Sequence, residues 1–348
     1  MVWYDGFVIT KRVFMREKVL YEIQKNFPLT KRPFRDIATN LNCSEDEIID
    51  ILQEEKRKGI IRQISAIFDT KKLGYKSSLV AFKIDESDID QAVSILNSHP
   101  GISHNYERNH DFNIWFTLAV PQDSMLGLDN TIKLLSELTG AKEYIALPTL
   151  KLFKIAVKLD TTGKVSKKES IKKRVFKDIQ IEDIHKKVIK YAQNDIEITK
   201  EPFEKIIKEI GITYDEFFKI LQDLKDSGAM RRFAAILNHR KAGFNANAMV
   251  VWDIDEDIAV EVGQKIAKYS AVSHCYLRPK YDNWPYNIFS MVHGKTKEQT
   301  DAIVKEIESE IKYNENQYLY SSREFKKVRV KYYTEDMLEW EKKMVNKG

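Results

Sequence analysis

The sequence has few cysteines and no long apolar run. Cys43 and Cys275 are its only cysteines, too few for a disulfide framework or a four-thiolate metal site. No apolar stretch approaches the roughly 20 residues of a membrane span, and residues 1–10 lack the apolar core of a secretion signal. With 43% hydrophobic residues, we expect a soluble, cytoplasmic globular protein with no membrane partner.

The excess of positive over negative charge is also small. The formal net charge is +5 against 57 basic and 52 acidic residues, which gives only weak support for a polyanionic partner. Much of the excess lies in the lysine-rich stretch 164–177, which we interpret as a solvated linker. The 348 residues are enough for two or more cores, since single domains usually hold roughly 100–200 residues.

The sequence does contain an internal duplication. An offset of 169 aligns residues 30–34 with 199–203 without a gap, and it continues to Gly74 and Gly243. The offset is 170 at a repeated Ser-His-x-Tyr-x-Arg pattern, which stands at 103–108 and 273–278. It becomes 174 at the Asn-Ile pairs that follow, because the second copy carries extra residues around Trp284.

Each copy predicts the same fold, of class α+β. Short helices joined by tight turns precede a glycine and an alternating strand, which is typical of a winged helix-turn-helix. A β-α-β-β-α-β order follows and predicts a ferredoxin-like domain. The predicted domains are a winged helix-turn-helix at 1–70, a ferredoxin-like domain at 71–160, a basic linker at 161–180, and the second copies of the two domains at 181–239 and 240–348. The predicted elements include a first helix at Val13–Asn26, N-caps at Ser44 and Thr213, and closing strands at Ala141–Leu152 and Gln317–Tyr332.

The histidines of the repeated pattern, His104 and His274, are the leading candidates for chemistry. His239 is a third candidate, and its counterpart in the first copy is Thr70. The first copy also lacks the Trp-Pro-Tyr insertion that begins at Trp284. We therefore predict unequal halves, with the reaction in the pocket around His274. His99 and His293 are expected to be structural, His185 to lie on a helix surface, and Cys275 to be a small buried hydrophobe.

The domain order resembles the leucine-responsive, AsnC-type transcription regulators, and two motifs indicate one branch of that architecture. Residues 228–244 read G-x-x-R-R-x-x-A-I-L-N-H-R-K-A-G-F, and residues 273–289 read S-H-C-Y-x-R-P-x-Y-x-x-W-P-Y-N-I-F. Both resemble siroheme (sirohaem) decarboxylases, in which two related subunits normally form a heterodimer. The resemblance covers roughly residues 13–335 and implies that this chain fuses both subunits.

The resemblance implies a reaction and a substrate. Siroheme would lose carbon dioxide from its two acetate side chains, at C12 and C18, to give 12,18-didecarboxysiroheme on a route to heme or heme d1. No separate cofactor is implied, because the iron tetrapyrrole is itself the substrate; retention of a heme-like product is left open. One chain would form a pseudo-heterodimer by itself, and further homo-oligomerisation is left open.

The candidate residues suit a flat ring that carries iron and many carboxylates. Arginines form forked bonds with carboxylates, and aromatic side chains offer flat apolar surface. The predicted substrate-binding residues are Arg62, Arg108, Arg231, Arg232 and Arg278, with Tyr106, Tyr276, Trp284, Tyr286, Asn287 and Phe289 around the ring.

The chemistry also needs a proton donor. Loss of carbon dioxide leaves electron density on the methylene carbon, which the macrocycle delocalises and a proton then quenches. Histidine suits that step because its ordinary pKa is about 6.5. Of His274 and His239, one is predicted to contact iron or orient the ring and the other to donate the proton or contact a carboxylate. The sequence does not assign these roles, and His274 is the candidate for an axial contact to the substrate iron.

Two other functions are weighed against the enzyme. Winged helices are typical of DNA-binding regulators, but acidic residues at the start of the third helix, within 44–47 and 213–216, would repel phosphate, so DNA is not an expected partner. A non-catalytic heme or tetrapyrrole sensor would use the same histidines and arginines, and the sequence barely separates it from the enzyme.

Overall fold

The computed structural model describes residues 3–25, 27–155, 176–237, 246–294 and 296–345. These residues form two units, and each unit takes parts from both copies of the repeat. The first unit holds both winged helix-turn-helix segments together with Lys331–Thr334. The second unit holds both ferredoxin-like segments and the C-terminal helix. Most of the predicted linker, residues 161–175, lies outside the described residues.

The helices and strands repeat in the same order, which confirms the predicted fold class. The described helices are α1 (Trp3–Lys25), α2 (Pro33–Leu41), α3 (Glu45–Arg57), α4 (Ile89–Ser98), α5 (Gly127–Thr139), α6 (Asp183–Ala192), α7 (Glu204–Ile210), α8 (Tyr214–Asp226), α9 (Ala259–Ala267), α10 (Lys297–Glu310) and α11 (Asp336–Val345), with a short 3₁₀ turn at Glu86–Asp88. The described strands are β1 (Ile61–Phe68), β2 (Lys76–Lys83), β3 (Ile102–Arg108), β4 (Ile114–Val120), β5 (Glu143–Pro148), β6 (Lys151–Ile155), β7 (Met230–Leu237), β8 (Ala246–Asp253), β9 (Val272–Leu277), β10 (Ile288–Gly294) and β11 (Glu315–Lys327).

The first unit has one core shared by both winged helices. The predicted N-caps are confirmed, because the hydroxyls of Ser44 and Thr213 accept hydrogen bonds from backbone N–H groups at 3.1 and 3.2 Å. The wing strands β1 and β7 pair with each other in antiparallel register. Phe27 of the first copy lies 5.3 Å from Phe233 of the second, ring centre to ring centre. Neither winged helix therefore buries its apolar face alone.

The second unit is built on one nine-stranded sheet, in the order β5-β2-β4-β3-β11-β8-β10-β9-β6. Each copy contributes the four strands of a ferredoxin-like domain. The long strand β11 pairs with β8 of its own copy and then with β3 of the first copy. Strand β6 of the first copy pairs with β9 of the second. Because β5 and β6 are joined by residues 149–150, the two ends of the strand order are adjacent along the chain.

Each face of this sheet has a separate core. The helices cover one face, with one apolar cluster for each copy. The opposite face, which we call the inner face, carries a third cluster to which both copies contribute, including Trp115 and Leu147 from the first and Trp284, Phe289 and Leu319 from the second. The inner face is therefore the surface on which the two copies meet.

Three elements differ from the sequence predictions. Helix α1 begins at Trp3 instead of Val13. The strand predicted at Ala141–Leu152 is two strands, because β5 ends at Pro148, whose nitrogen cannot donate to a ladder, and β6 then joins the other copy. The strand predicted at Gln317–Tyr332 covers Glu315–Lys327.

Helix α11 was not predicted from the sequence. It packs on the helix-side core of the first copy through Trp340. The carboxylate of its buried Glu341 accepts hydrogen bonds from the Ser124 hydroxyl and from the Met125 N–H, the latter at 3.0 Å. The end of the second copy thus completes the first copy.

Candidate active site

Two strands present the repeated pattern on the inner face. Side chains alternate between the two faces of a strand, so His274, Tyr276 and Arg278 of the β9 segment share one face. Cys275 points the other way and belongs to the helix-side core. The same alternation in β3 groups the corresponding residues of the first copy. We call each set, His274-Tyr276-Arg278 and His104-Tyr106-Arg108, a His–Tyr–Arg triplet.

The two triplets occupy separate places. Strands β3 and β9 are separated by β11, β8 and β10 in the sheet. At about 4.8 Å per strand, this spacing is on the order of 19 Å measured along the sheet. The structure therefore provides two pseudo-symmetric sites, each with its own histidine.

A β-bulge lies directly before each histidine and sets the direction of its side chain. The register of β3 against β4 slips between Ile102 and His104, and that of β9 against β10 slips between Val272 and His274. The extra residue is a serine in both copies, and bulges of this kind re-aim a side chain. The serine hydroxyl is hydrogen-bonded to Nδ1 of the next residue, at 2.9 Å for His104 and 2.7 Å for His274.

Each histidine also lies beside the tyrosine of its triplet. The rings of His104 and Tyr106 are nearly parallel with centres 6.3 Å apart, and those of His274 and Tyr276 are 6.2 Å apart. All four side chains are partly exposed. Each triplet thus presents a flat aromatic surface together with an imidazole.

The serine contacts distinguish the two copies. In the first copy, the Ser103 hydroxyl is bonded to Thr117 Oγ1 at 2.7 Å. In the second copy, the Ser273 hydroxyl is bonded to Nε2 of His293, whose Nδ1 contacts Asn247 Oδ1 at 2.6 Å. We call Asn247, His293, Ser273 and His274 the Ser273 chain. Sequence reasoning missed His293, since only strand register brings it to Ser273.

The arginines of the triplets are buried and bridge the copies. Arg108 Nη1 donates to the Leu319 carbonyl at 2.6 Å, and Arg278 Nη1 donates to the Leu147 carbonyl. Each guanidinium also lies over the tyrosine of its triplet, 5.5 Å from Tyr106 and 4.9 Å from Tyr276. Burial lowers the pKa of both arginines to about 10.

Each of these buried arginines has an Nε–H donor without a hydrogen-bond partner. The Nε of Arg108 and the Nε of Arg278 have no hydrogen-bond partner, and no carboxylate in the described part of the chain forms an ion pair with either residue. A buried cation without an anion is costly, by several kcal/mol after relaxation. Both arginines therefore favour an anionic ligand nearby.

The strands next to the two triplets are chemically different. In the first copy, Lys327 and Glu324 of β11 stand opposite His104 and Tyr106 and form an ion pair at 3.6 Å. In the second copy, Ile155 and Leu152 of β6 stand opposite His274 and Tyr276. The neighbouring strand is therefore charged in the first copy and apolar in the second.

The insertion of the second copy fills the core between the copies. Residues 281–284 form a turn closed by two backbone hydrogen bonds between Tyr281 and Trp284, at 2.8 and 2.9 Å. Trp284 is 1% exposed and lies 5.2 Å from Trp115 of the first copy, between ring centres. Tyr286 is buried and donates to Glu315 at 2.9 Å, while Phe289 lies beneath Arg278 at 5.3 Å. Phe289 thus contacts Arg278 of the triplet, and Trp284 packs against Phe289.

Asn287 has a structural role in this geometry. Its Oδ1 accepts from the Ile254 N–H at 3.1 Å, and its Nδ2 donates to the Ile254 carbonyl at 2.9 Å. Asn113 of the first copy makes the same two contacts with Ile84. Because both amide groups clamp the end of a strand, the contacts do not support the substrate contact predicted for Asn287.

The other predicted residues belong to the first unit or lie outside the described residues. Arg62 is exposed, Arg231 forms an ion pair with Asp69 at 2.8 Å, and burial lowers the pKa of the half-buried Arg232. His239 lies outside the described residues. Its counterpart Thr70 is hydrogen-bonded to the Tyr332 hydroxyl at 2.8 Å.

The remaining candidates have structural positions. His99 is fully buried, its Nδ1 accepts from the Gly101 N–H at 3.0 Å, and burial lowers its pKa to about 3. His185 caps helix α6. Cys275 is fully buried, which raises the pKa of its thiol.

Within the described ranges, no three metal-ligating side chains form a cluster, and no helix there is long and apolar enough to cross a membrane.

Two family models each match the chain twice. The AsnC-like ligand binding domain matches residues 72–154 and 241–326. The siroheme decarboxylase NirDL-like HTH domain matches residues 16–62 and 185–231. Both matches recur in the two copies, which confirms the duplication.

Relatives match either the whole chain or one copy of it. The siroheme decarboxylase of Hydrogenobacter thermophilus is 38% identical over 330 residues, which cover 95% of this chain and 98% of that protein. The beta subunit of the Methanosarcina barkeri siroheme decarboxylase is 39% identical over 145 residues, 42% of this chain and 95% of that subunit. The crystal structure of the siroheme decarboxylase NirDL is 34% identical with a TM-score of 0.78, over 95% of this chain and 98% of that one. The chain belongs to the siroheme decarboxylase family, in a form that joins counterparts of two subunits in one polypeptide.

Proposed function

We propose that this chain is a carboxy-lyase that removes carbon dioxide from the two acetate side chains of siroheme, at C12 and C18, to give 12,18-didecarboxysiroheme. The observation that carries the proposal is the His–Tyr–Arg triplet of β9, in a chain 38% identical to a siroheme decarboxylase over almost its whole length. A solved NirDL structure in co-complex with an iron-uroporphyrin III analogue, 34% identical to this chain, adds support.

The buried arginines suit a polyanionic substrate. Arg278 carries its charge in a buried position and keeps an unpaired Nε donor. A carboxylate that reaches this guanidinium would relieve the cost of the isolated charge and gain a charge-assisted hydrogen bond. Tyr276 and His274 supply flat surface beside it, on which a macrocycle can lie.

The reaction needs a proton but no oxidant or reductant. When the bond between the acetate methylene carbon and its carboxylate breaks, carbon dioxide leaves and the electron pair delocalises into the macrocycle. A proton then forms the new C–H bond and leaves a methyl group. His274 donates that proton in this proposal, as a general acid whose ordinary pKa lies near neutrality. The iron contact, which the sequence left open between His274 and His239, is then not made by His274.

The site around His274 is the working site in this proposal, and the site around His104 is a supporting one. The apolar Ile155 and Leu152 beside the second triplet weaken hydration of a carboxylate, which favours its loss as carbon dioxide. The ion pair of Lys327 and Glu324 beside the first triplet keeps that site polar. We propose no separate cofactor, because the iron belongs to the substrate.

Anaerobic incubation of the purified full chain with siroheme, followed by mass analysis, tests the function. We expect two successive losses of carbon dioxide. Tight binding of unchanged siroheme would instead indicate a sensor. The His274→Ala variant serves as the negative control, since it removes the donor and leaves the sheet intact.

A further inference from the structure

The Ser273 chain links the proposed proton donor to the protein surface. Asn247 is exposed, His293 and His274 are partly exposed, and Ser273, which joins the two imidazoles, is buried. Its contacts join Asn247 Oδ1 to His293 Nδ1, His293 Nε2 to the Ser273 hydroxyl, and that hydroxyl to His274 Nδ1. Two imidazoles thus share one hydroxyl, which can donate one hydrogen bond and accept others.

The protonation of His293 decides which atom donates and which accepts in each hydrogen bond of the Ser273 chain. The amide oxygen of Asn247 only accepts, so His293 carries a proton on Nδ1. If His293 is neutral, its Nε2 accepts from Ser273, and the hydroxyl in turn accepts from His274 Nδ1–H. His274 Nε2 then has no proton to give.

Protonation of His293 reverses the order. With a proton on both ring nitrogens, His293 donates from Nε2 to the Ser273 hydroxyl, and Ser273 donates to His274 Nδ1. The proton of a neutral His274 then resides on Nε2. In this state His274 can act as a general acid through the nitrogen that Ser273 does not contact.

We infer that His293 is a positioning residue that acts through Ser273, setting the tautomer of His274 and supplying the proton that His274 delivers to the substrate. The inference rests on the proposed function. It assigns a role to a histidine that the sequence marked as structural.

The proton transfer balances along the chain. His274 gives its Nε2 proton to the methylene carbon as the new C–H bond forms. At the same time its Nδ1 takes the Ser273 hydroxyl proton, and Ser273 takes the Nε2 proton of His293. His293 ends neutral and His274 ends neutral with its proton on Nδ1. Before the next turnover, His293 takes up one proton from solvent, and neutral His274 exchanges its Nδ1 proton for one on Nε2.

In the described part of the first copy, the serine of the bulge has a different partner. Ser103 is bonded to Thr117, whose hydroxyl does not titrate near neutral pH. The strand position that corresponds to Thr117 is Met291, and the imidazole on Ser273 comes from His293, two residues further along β10. This difference agrees with the placement of the reaction at His274.

Strands β8, β9 and β10 place side chains around His293. In the described part of the chain, the inner-face side chains beside it are Met291 on β10, Asn247 and Met249 on β8, and Tyr276 and Arg278 further along the β9 segment. Strand β6 stands opposite His274 with Ile155. Lys154 of β6 donates instead to the Tyr269 carbonyl, at 2.8 Å.

The first test replaces His293 by glutamine, which keeps a hydrogen-bonding side chain but cannot carry the extra proton. We expect His293→Gln to lower kcat for siroheme by about 10- to 100-fold with little change in KM, because losing a side chain that orients a reacting group through a hydrogen bond usually costs this much. The wild-type kcat should fall as pH rises past the pKa of His293, and the variant should lose this limb. His185→Gln is the matched control, since glutamine also suits its capping position, and should keep wild-type activity.

The second test shifts the high-pH limb of the pH profile instead of removing it. Asn247→Asp places a carboxylate beside His293 and stabilises its protonated form, so activity should persist to higher pH, by up to about one unit. Thermal unfolding of each variant checks the fold. A wild-type kcat and pH profile in both variants would overturn the inference, even if one variant folded poorly.

A third measurement separates this inference from the proposed function. NMR of the histidine ring nitrogens reports the tautomer of His274 without any turnover. The wild-type His274 should change from Nδ1–H to Nε2–H as pH falls through the titration of His293, and His293→Gln should abolish this change. An absent change in wild type would overturn the inference, whereas failure of wild type to release carbon dioxide would overturn only the proposed function and the delivery step based on it.

Discussion

At the residue scale, histidine takes very different states within one unit of this protein. His99 is buried with a pKa of about 3, whereas His274 is partly exposed with its Nδ1 bonded to Ser273. His110 is half-buried, which lowers its pKa, and its ring meets Trp284 edge-on at 5.3 Å. The surroundings, more than the residue type, decide which histidine can move a proton near neutral pH.

A matched pair of substitutions tests the inequality of the two triplets. His274→Ala should lower kcat by about 100-fold or more, because it removes the general acid. His104→Ala should have a smaller effect, because Ser103 is bonded to Thr117 where Ser273 is bonded to His293. Steady-state rates of carbon dioxide release check both variants. Equal losses would contradict the assignment of one working site.

The buried His99 predicts a pH dependence of stability. Its folded pKa of about 3 lies below the ordinary value near 6.5, so unfolding takes up a proton between these two pH values. Its contribution is fully present above about pH 6.5 and is lost as pH falls toward 3, by up to about 1.4 kcal/mol per pH unit. His99→Asn keeps an acceptor for Gly101 but does not titrate. Its free energy of unfolding should therefore fall less steeply with acid, as denaturant titrations can measure; equal slopes would contradict this prediction.

At the element scale, the Trp-Pro-Tyr insertion is a structural support of the second triplet. Trp284 contacts the Trp115 ring of the first copy and the Phe289 ring of the second, and Arg278 lies over Phe289. Two backbone hydrogen bonds between Tyr281 and Trp284 close the turn that carries it. Its burial arises only from the meeting of the two copies.

Truncation of Trp284 should therefore destabilise the second unit. Trp284→Ala should lower the free energy of unfolding by about 3–5 kcal/mol, the usual cost of removing a buried aromatic side chain. Trp284→Phe should cost clearly less, because it keeps a ring and removes an indole N–H that has no partner. Chemical denaturation of both variants measures the difference. Equal stability of the alanine variant and wild type would show that the insertion is not a support.

The start of the third helix in each copy engages the other copy. Asp46 in α3 forms an ion pair with Lys200 at 2.9 Å, and the Tyr214 ring at the start of α8 lies 5.0 Å from Lys31 Nζ. Lys31 also pairs with Glu201 at 3.3 Å. Lysines near the two helix-turn-helix segments thus already have acidic partners. That the chain does not bind DNA remains a prediction, and salt-sensitive retention of a DNA duplex in a mobility-shift assay would contradict it.

At the scale of the whole molecule, the two copies exchange elements. Strand β6 of the first copy pairs with β9, and strand β11 of the second copy pairs with β3. Helix α11 completes the core of the first copy through Trp340. Separate subunits of relatives match about two-fifths of this chain each. The chain therefore joins, through these contacts, two segments that each match a separate subunit of relatives.

This exchange predicts how a divided chain behaves. Two polypeptides, residues 1–160 and 161–348, should co-purify and release carbon dioxide from siroheme when they are expressed together. Either piece alone should lack a cooperative unfolding transition, because its sheet and core are incomplete. A folded, monomeric single piece would contradict the prediction, and the undivided chain is the control.

The sequence by itself determined the family and most of the order of elements, but not helix α11 or the division of one strand into β5 and β6. Local patterns suffice for helix caps such as Ser44, for the alternation that puts His274 and Tyr276 on one face, and for the motifs that resemble siroheme decarboxylases. These features depend on neighbouring residues along the chain, so periodicity and capping residues reveal them.

Only the tertiary structure decided which of these residues meet. The pairing of His293 with Ser273, the clamp made by Asn287 and the burial of Arg278 against the Leu147 carbonyl all depend on strand register between segments distant in sequence. Helix α11 was not predicted because the core on which it packs belongs to the first copy. A side chain acquires its proton, partner or charge environment from contacts across the sheet, and the sequence alone contains no measure of that register.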